Sequence, residues 1–369
     1  MTDRRLQDRH QRRIDYLRVS LTDRCNLRCL YCLPEEGVTL KGHQDILTFE
    51  EIVRVVRVAV SLGVKGVRLT GGEPLARKDL IGLVRDLAAI DGLEDISLTT
   101  NGTLLAPLAA DLRAAGLRRV NISLDTLRPE RFAAIARRPL HAETIAGIRA
   151  ALAAGLEPVK LNVVLMRGVN DDEMVDFARL TRRPLAPGLG PVHVRFIELM
   201  PLGESVGKDA DLRVTGEEVR EVLSRAGELT PVGGGAPLGR GPAESYLWTP
   251  RETAAEKGPI ASGAPGTSGV LEVAAAGVRP ATIGLISAVT EHFCERCNRL
   301  RLTADGKINP CLASPLEVDL RGALRAGADD DELARLLCLA VSEKPLEHAM
   351  GTGAAAEDSR RRRMSRIGG

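Results

Sequence analysis

The chain is poor in aromatic residues and nearly balanced in charge. Of its 369 residues only 2% are Phe, Trp or Tyr, and the formal net charge is +2. Proteins that bind nucleic acid usually offer basic grooves, and those that bind single strands add aromatic stacking platforms. The arginine-rich runs at residues 4–13 and 360–366 are interpreted as solvated tails. The composition therefore argues against a nucleic-acid partner.

Long hydrophobic runs are missing as well. No apolar stretch approaches the roughly 20 residues of a membrane-spanning helix, and residues 1–13 are polar and basic, unlike the apolar region of a secretory signal. We therefore expect a cytoplasmic chain without a membrane partner. Hydrophobic residues at 44% and charged residues at 27% are typical of a globular protein. The length allows one large core domain and a smaller addition.

Cysteine is the informative residue type. In a reducing cytosol, clustered thiols indicate metal or redox chemistry rather than disulfides. Cys338 belongs to no motif, and we interpret it as a buried structural thiol. The seven cysteines comprise two groups of three and this single residue: Cys25, Cys29 and Cys32; Cys294, Cys297 and Cys311; Cys338.

The first two-thirds of the chain alternates between β-rich and helical patterns. Such alternation predicts parallel strands with right-handed crossovers. Six strands are too few for a closed eightfold barrel, so the predicted fold is α/β, an incomplete (β/α)6 TIM-like barrel with a C-terminal α+β extension. The predicted strands are residues 16–22, 66–70, 95–100, 119–124, 159–166 and 193–200. The predicted barrel helices are residues 48–62, 78–90, 104–115 and 142–155.

Composition suggests three parts. Residues 14–230 are assigned to the partial barrel. Residues 231–268 are rich in Gly, Pro, Ala and Ser and are predicted to be a flexible linker or insertion. Residues 269–369 then form a C-terminal domain that carries the second cysteine group, with helices predicted at 317–326 and 330–341, and ends in a Gly-Gly tail.

Polar and glycine residues collect where the predicted strands end, at Thr70–Glu73, Thr99–Asn101, Ser123, Asp125, Asn162 and Glu198–Met200. Active sites of parallel α/β barrels lie on that rim. Turns are polar in any case, but repetition over successive strands favours a site.

The first cysteine group follows the first predicted strand with the spacing Cys-x3-Cys-x2-Cys. A cubic iron–sulfur cluster has four irons, each of which normally takes a thiolate. Three thiolates leave one iron open, as in a reactive rather than a structural metal site. Zinc is the alternative, and His43 is the nearby candidate for a fourth ligand.

This spacing, with Tyr31 before the last cysteine and Gly71-Gly72-Glu73-Pro74 after the second strand, resembles the radical S-adenosylmethionine (SAM) superfamily. The resemblance implies a [4Fe–4S] cluster on Cys25, Cys29 and Cys32, with the methionine amino and carboxylate groups on the open iron. It also implies that Glu73 and nearby backbone carbonyls accept hydrogen bonds from the ammonium. The residues that it assigns to SAM are Tyr31, Gly72, Ser123 and Met200.

The second cysteine group is again a trio. By spacing alone it fits either a cluster with an open iron or a zinc site with His292 as the fourth ligand. Its surroundings resemble the C-terminal domain of the GTP 3′,8-cyclase family (molybdenum cofactor biosynthesis protein A). The matching segments are residues 293–302, 305–307 and 311, and further motifs at 21–26, 68–74, 99–102, 121–125, 195–198 and 368–369 occur in the family's order.

This second resemblance implies a second [4Fe–4S] cluster on Cys294, Cys297 and Cys311, whose open iron binds the guanine of GTP. It also implies that the C-terminal Gly368 and Gly369 reach the active site. The implied partners are GTP, an external electron donor and the next enzyme of the molybdopterin pathway, for a monomer or homodimer. The residues that it assigns to GTP are Arg18, Arg68, Thr99, Lys160, Arg299 and Arg301.

The implied activity is that of a carbon–carbon lyase in which an adenosyl radical removes the C3′ hydrogen of GTP and the ribose carbon then joins C8 of guanine. One alternative is another radical SAM enzyme with an auxiliary cluster, such as a peptide modifier. The other is a non-enzymatic iron–sulfur or zinc protein, although a carrier normally closes every iron with protein ligands.

Overall fold

The computed structural model describes residues 5–182, 189–203, 207, 209–232, 241–251 and 281–350. Within these ranges, twelve strands form one sheet. The strands are β1 (Tyr16–Ser20), β2 (Gly66–Thr70), β3 (Asp95–Thr100), β4 (Arg119–Ser123), β5 (Val159–Leu165), β6 (His193–Glu198), β7 (Gly227–Pro231), β8 (Glu244–Pro250), β9 (Ile283–Ile286), β10 (Arg299–Leu302), β11 (Lys307–Asn309) and β12 (Val318–Asp319).

The strand order is β12-β11-β10-β1-β2-β3-β4-β5-β6-β9-β8-β7. The six central strands are parallel and begin at the six predicted residues, although β1, β4, β5 and β6 end one or two residues earlier than predicted. Two more parallel strands flank them, since β10 pairs with β1 and β9 pairs with β6. The sheet ends at β12 and β7 rather than closing on itself. The prediction of an incomplete barrel is therefore confirmed.

Helices connect the parallel strands and cover the outside of the sheet. Those in the described ranges are α1 (Phe49–Ser61), α2 (Leu80–Ala88), α3 (Ala109–Ala114), α4 (Pro129–Ala136), α5 (His141–Ala153), α6 (Met174–Arg179), α7 (Asp209–Leu212), α8 (Gly216–Ala226), α9 (Leu320–Arg325) and α10 (Asp330–Ser342). Both α1 and α8 begin with a capping box, in which Thr48 and Thr215 accept from the third helical residue. None of these helices combines the length and hydrophobicity that crossing a membrane requires.

The C-terminal strands extend the sheet at both edges. On one edge β7 and β8 form an antiparallel pair beside β9, and on the other β10, β11 and β12 continue from β1. Strand β8 lies inside the range predicted as linker, whereas residues 233–240 and 252–280 are outside the described residues. The three-part division remains a prediction.

The prediction for Cys338 is wrong. Cys338 is exposed on α10. The buried residues of that helix are Leu333, Leu337, Ala340 and Val341, and position 338 turns away from the face that they form.

Each central strand buries both faces. On β1, Leu17 and Val19 are fully buried in the hydrophobic core, whereas the alternate positions carry Tyr16, Arg18 and Ser20. Alternation places these polar residues on the opposite face, toward the barrel interior. The polar side chains of β1 therefore face the barrel interior, whereas its apolar side chains pack in the surrounding core.

Candidate functional site

A cavity of about 300 Å³ lies inside the barrel. It is lined by the polar ends of the central strands and by the loops around both cysteine groups. All six grouped cysteines line it, together with the four residues assigned to SAM and five of the six assigned to GTP. The lining residues among these predictions are Cys25, Cys29, Cys32, Cys294, Cys297, Cys311, Tyr31, Gly72, Ser123, Met200, Arg18, Arg68, Thr99, Arg299 and Arg301.

The first cysteine group lies on a loop that follows β1. A tight turn closes it, because the backbone N–H groups of Cys32 and Leu33 both donate to the Cys29 carbonyl, at 2.9 and 3.1 Å. The Sγ atom of Cys25 accepts from the backbone N–H of Leu27 at 3.4 Å and from Asn101 Nδ2 at 3.9 Å. The loop thus presents three thiols to one cavity.

These thiols fit an iron–sulfur cluster. Burial raises the pKa of Cys29 well above its usual value, and Asp125, Cys32 and Cys25 raise it further. Thiols close enough to repel one another as thiolates are stabilised when iron takes them up as ligands. Among the described residues, no three His, Cys, Asp or Glu side chains, those of the cysteine trios included, are arranged so that they could all bind one metal ion.

Gly71 and Gly72 are required by the packing of two loops. A Cβ atom on Gly72 would lie 2.2 Å from the carbonyl oxygen of Arg24, and one on Gly71 would lie 2.7 Å from that of Thr22. The backbone N–H of Gly72 donates to Thr22 at 2.6 Å, and that of Glu73 donates to Arg24 at 2.7 Å. These glycines hold the end of β2 against the loop that leads to Cys25.

Glu73 is placed differently from its predicted role as an acceptor for the SAM ammonium. It is fully buried and does not line the cavity. Its carboxylate accepts from Thr100 Oγ1 at 2.7 Å and from the backbone N–H groups of Asn101 and Leu75 at 2.8 and 3.0 Å. Burial nevertheless raises its pKa to about 7. Glu73 therefore ties the ends of β2 and β3 together.

Asp125 was noted at a strand end but not assigned a role in the site. It lines the cavity and accepts from the Tyr31 hydroxyl at 2.8 Å and from the backbone N–H of Val164 at 2.9 Å. Burial raises its pKa to about 6. Because Tyr31 is held by this bond, Asp125 fixes a side chain assigned to SAM.

The second cysteine group lies at the other end of the same strands. Cys297 is two residues before β10, whereas Cys25 is five residues after β1, the parallel neighbour of β10. A five-residue strand spans about 16 Å. Cys311 follows β11, which runs antiparallel to β10 and so returns to the Cys297 end. The two trios therefore face the cavity from opposite ends.

The second trio also fits a cluster. Cys294 interacts electrostatically with Cys311 and Cys297, and all three thiols line the cavity. Burial would raise the pKa of Cys297, but Lys344 and Arg299 outweigh it and the pKa falls below its usual value. A thiol that readily loses its proton is a good metal ligand.

A band of cationic side chains lies between the two trios. Strand register creates it, because Arg18 pairs with Arg68 of β2 on one side and with Arg301 of β10 on the other. Arg299 and Arg195 line the same cavity. The sequence resemblance did not assign Arg195 to GTP. Its alternation on β6 with buried Val194 and Phe196 could have predicted that its side chain faces the barrel interior.

The charges in this band repel one another. Burial, followed by Arg301, Arg68 and Arg299, lowers the pKa of Arg18 well below its usual value. Burial and neighbouring arginines lower the pKa of Arg195 to about 9, and burial and Arg299 lower that of Arg301 to about 10. Buried cations that repel one another are costly, and a bound anion would relieve that repulsion.

Four buried polar atoms in this region lack a hydrogen-bond partner among the described residues: Arg68 Nη2, Arg299 Nε, Thr99 Oγ1 and Asn162 Oδ1. Buried polar groups are usually paired in native proteins. All four residues line the cavity. The arginine nitrogens and the Thr99 hydroxyl can donate to an anionic group, whereas Asn162 Oδ1 can accept from a donor on the same ligand.

Two assigned groups fall outside this cavity lining. Lys160 is fully buried on β5 and is not among the lining residues. Burial, with Arg195 and Arg119 nearby, lowers its pKa to about 4. Gly368 and Gly369 lie outside the described residues.

The sequence matches two family models in succession. Residues 19–181 match the Radical SAM superfamily, and residues 251–350 match Molybdenum Cofactor Synthesis C. A GTP 3′,8-cyclase of Moorella thermoacetica is 50% identical over 99% of this chain and 100% of its own length. A GTP 3′,8-cyclase of Heliobacterium modesticaldum is 48% identical over 98% of this chain and 99% of its own.

The chain belongs to the GTP 3′,8-cyclase family.

Membership of the radical SAM superfamily implies a [4Fe–4S] cluster and SAM for this family member. Among solved structures, SuiB of Streptococcus suis matches with a TM-score of 0.50 and 13% identity, over 91% of this chain and 68% of SuiB. At that identity the similarity supports the fold alone. The similarity to SuiB agrees with the incomplete parallel barrel of this GTP 3′,8-cyclase family member.

Proposed function

We propose that this chain is a GTP 3′,8-cyclase that converts GTP into (8S)-3′,8-cyclo-7,8-dihydroguanosine 5′-triphosphate, in molybdenum cofactor biosynthesis. One observation carries the proposal. A single cavity has a trio of thiols at each end and, between them, a band of buried guanidinium groups that repel one another. This arrangement suits a reaction that brings a cluster-bound cofactor and a polyanionic nucleotide together.

In this proposal Cys25, Cys29 and Cys32 hold the first [4Fe–4S] cluster. When bound, the cluster and SAM supply the 5′-deoxyadenosyl radical that removes the C3′ hydrogen of the ribose. The chain's own residues place SAM, through the pocket wall formed by Tyr31, Gly72, Ser123 and Met200. Asp125 orients Tyr31, and Glu73 fixes the strand ends behind Gly72.

At the other end, Cys294, Cys297 and Cys311 would hold a second [4Fe–4S] cluster whose open iron takes the guanine base. The triphosphate would then lie along the cationic band. Arg18, Arg68, Arg299 and Arg301 are suited to this, because guanidinium groups make forked contacts to phosphate oxygens. Thr99 has a buried hydroxyl available for the nucleotide. Lys160, behind this wall, would support binding as a buried neighbour of Arg195.

Placement is the protein's main contribution. Holding a reactive carbon and its target hydrogen in one orientation can lower a barrier by about 7–11 kcal/mol. The cavity sits within an apolar shell, which limits the access of solvent and oxygen to reactive intermediates. The Gly368-Gly369 tail, an external electron donor and the next molybdopterin enzyme complete the proposal as partners of this site.

The direct test is anaerobic incubation of the iron-loaded protein with GTP, SAM and dithionite, with the nucleotide product identified by mass and by its NMR spectrum. We expect equimolar 5′-deoxyadenosine and cyclised nucleotide. Cys338→Ser is the matched cysteine control, because Cys338 is exposed outside the cavity, and it should react like the unchanged chain. Release of 5′-deoxyadenosine with unaltered GTP would contradict the proposal and favour a different radical SAM reaction.

A further inference from the structure

Residues 344–348 lie against the second cysteine group, and the proposed reaction assigns them no role. Lys344 follows α10 and is almost fully buried, with 2% of its surface exposed. Its Nζ atom donates to the carbonyl oxygens of Arg299 at 2.9 Å and Pro310 at 2.6 Å. Arg299 is two residues beyond Cys297, and Pro310 directly precedes Cys311. One ammonium ion therefore ties together the two segments that carry these cysteines.

The same segment contacts the thiols themselves. The Lys344 ammonium lowers the pKa of Cys297, and the His348 backbone lowers that of Cys294 against the larger effect of burial. The imidazole of His348 is fixed in turn, because its Nε2 lies 2.6 Å from the carbonyl oxygen of Ala288. Residues 344–348 therefore lie close enough to the second trio to act electrostatically on two of its thiols.

An arginine from the N-terminal segment fastens residues 344–348 from outside. Nη1 of Arg12 donates to the carbonyl oxygens of Cys294 at 2.7 Å and Leu346 at 2.8 Å, and its Nη2 donates to that of Pro345 at 2.5 Å. Asp8 holds the guanidinium through Nε at 2.6 Å. Because these groups are buried, the segment is held in one position relative to Cys294.

We propose that Lys344 is a positioning residue for the second cluster: its ammonium ion fixes Cys297 and Cys311 and raises the cluster's reduction potential. Hydrogen bonds to sulfur and nearby charge are the protein's main means of setting that potential. Reduction adds negative charge to the cluster, so a buried cation beside it stabilises the reduced form. The inference rests on the proposed second cluster.

The test compares Lys344→Met, which keeps the stem and removes the charge, with Lys344→Arg, which keeps the charge. The midpoint potential of each cluster is measured by anaerobic redox titration followed by EPR, together with iron per chain. Lys344→Met should move the second cluster to a more negative potential and leave the first unchanged. Lys344→Arg should keep the potential of the second cluster close to that of the unchanged chain. Lys65→Met, which removes a surface partner of Glu94, should change neither potential.

An iron-loaded Lys344→Met protein with an unchanged second potential would overturn the inference. If Lys344→Met loses the second cluster's iron, Lys344→Arg decides: retained iron supports a role for the charge, and equal loss overturns it. Failure of the proposed function looks different. In that case the unchanged chain would itself bind iron for only one cluster, and Cys297→Ser would not lower the iron content per chain.

Discussion

The two ends of the cavity differ in charge although both carry three cysteines. Around the first trio lie neutral amides, two buried carboxylates, Glu73 and Asp125, and one cation, Arg28, which donates to the Cys25 carbonyl. Around the second lie Arg12, Arg299 and Lys344. The pKa of Cys25 is raised, chiefly by burial and in part by Glu73, whereas that of Cys297 is lowered.

This difference agrees with the ligand proposed for each end. SAM carries a sulfonium and an ammonium, so the carboxylate of Asp125 in the cavity wall would favour it at the first end. A nucleoside triphosphate is a polyanion, so it is favoured where buried guanidinium groups repel one another. The two ends therefore have the same number of cysteines but differ in the charged groups around them.

The largest expected effect comes from removing one thiol at each end. Cys25→Ser should abolish SAM cleavage and product together, which exceeds the roughly 10- to 100-fold losses seen when residues that only support metal ligands are changed. Cys297→Ser should abolish the cyclised product but leave 5′-deoxyadenosine release. Both products are quantified in the same anaerobic assay, with Cys338→Ser alongside. Identical behaviour of the two variants would remove the functional distinction between the ends.

Gly72→Ala should disrupt the first end alone. Its Cβ would meet the Arg24 backbone at 2.2 Å, and backbone cannot yield as a flexible side chain can. We expect loss of iron from the first trio and destabilisation of at least about 3 kcal/mol, the upper part of the range for overpacking. Gly82→Ala, in α2 with nothing within 4 Å, should stabilise the chain by up to about 1 kcal/mol. Iron analysis and thermal unfolding of the two variants test this pair.

Arg68→Met should weaken the second end by an intermediate amount. A charged hydrogen bond contributes about 1.5–3 kcal/mol, so GTP affinity should fall roughly 10- to 150-fold. The loss should shrink from GTP through GDP to guanosine, and SAM affinity should not change. Arg179→Met, at a surface pair with Asp176, is the control. An equal loss for guanosine would mean that Arg68 acts on the base or the fold rather than on phosphate.

The smallest effect concerns the pH dependence of stability. Glu73 has a pKa raised to about 7 against a usual 4.5, so the folded chain binds this proton more tightly than the unfolded chain. Its stabilising contribution is present below about 4.5 and is lost as pH rises toward 7. Glu73→Gln lacks this loss, so between pH 5.5 and 7 it should gain about 2 kcal/mol relative to the unchanged chain. Parallel pH slopes in thermal unfolding would contradict the assigned pKa.

The sequence predicted the central strands well because each combines alternating or continuous apolar residues with a polar end. It also separated the two thiol trios by spacing. It could not predict register, and register is what groups Arg18 with Arg68 and Arg301. Nor could it show that Glu73 turns into the protein or that Lys160 lies behind the cavity wall. Those positions depend on packing between distant segments. The wrong prediction that Cys338 is buried was avoidable, since helical periodicity already places it on a different face from Leu333, Leu337 and Ala340.

The pairing of β1 with β10 also affects how the chain is made. Arg18 meets a neighbour in register, Arg301, that is 283 positions later in the sequence. At roughly 5–20 residues per second on the ribosome, about 15–60 s separate the synthesis of the two. The first trio emerges early and the wall opposite it emerges late. Iron delivered before translation is nearly complete would therefore meet an open, water-filled half-site.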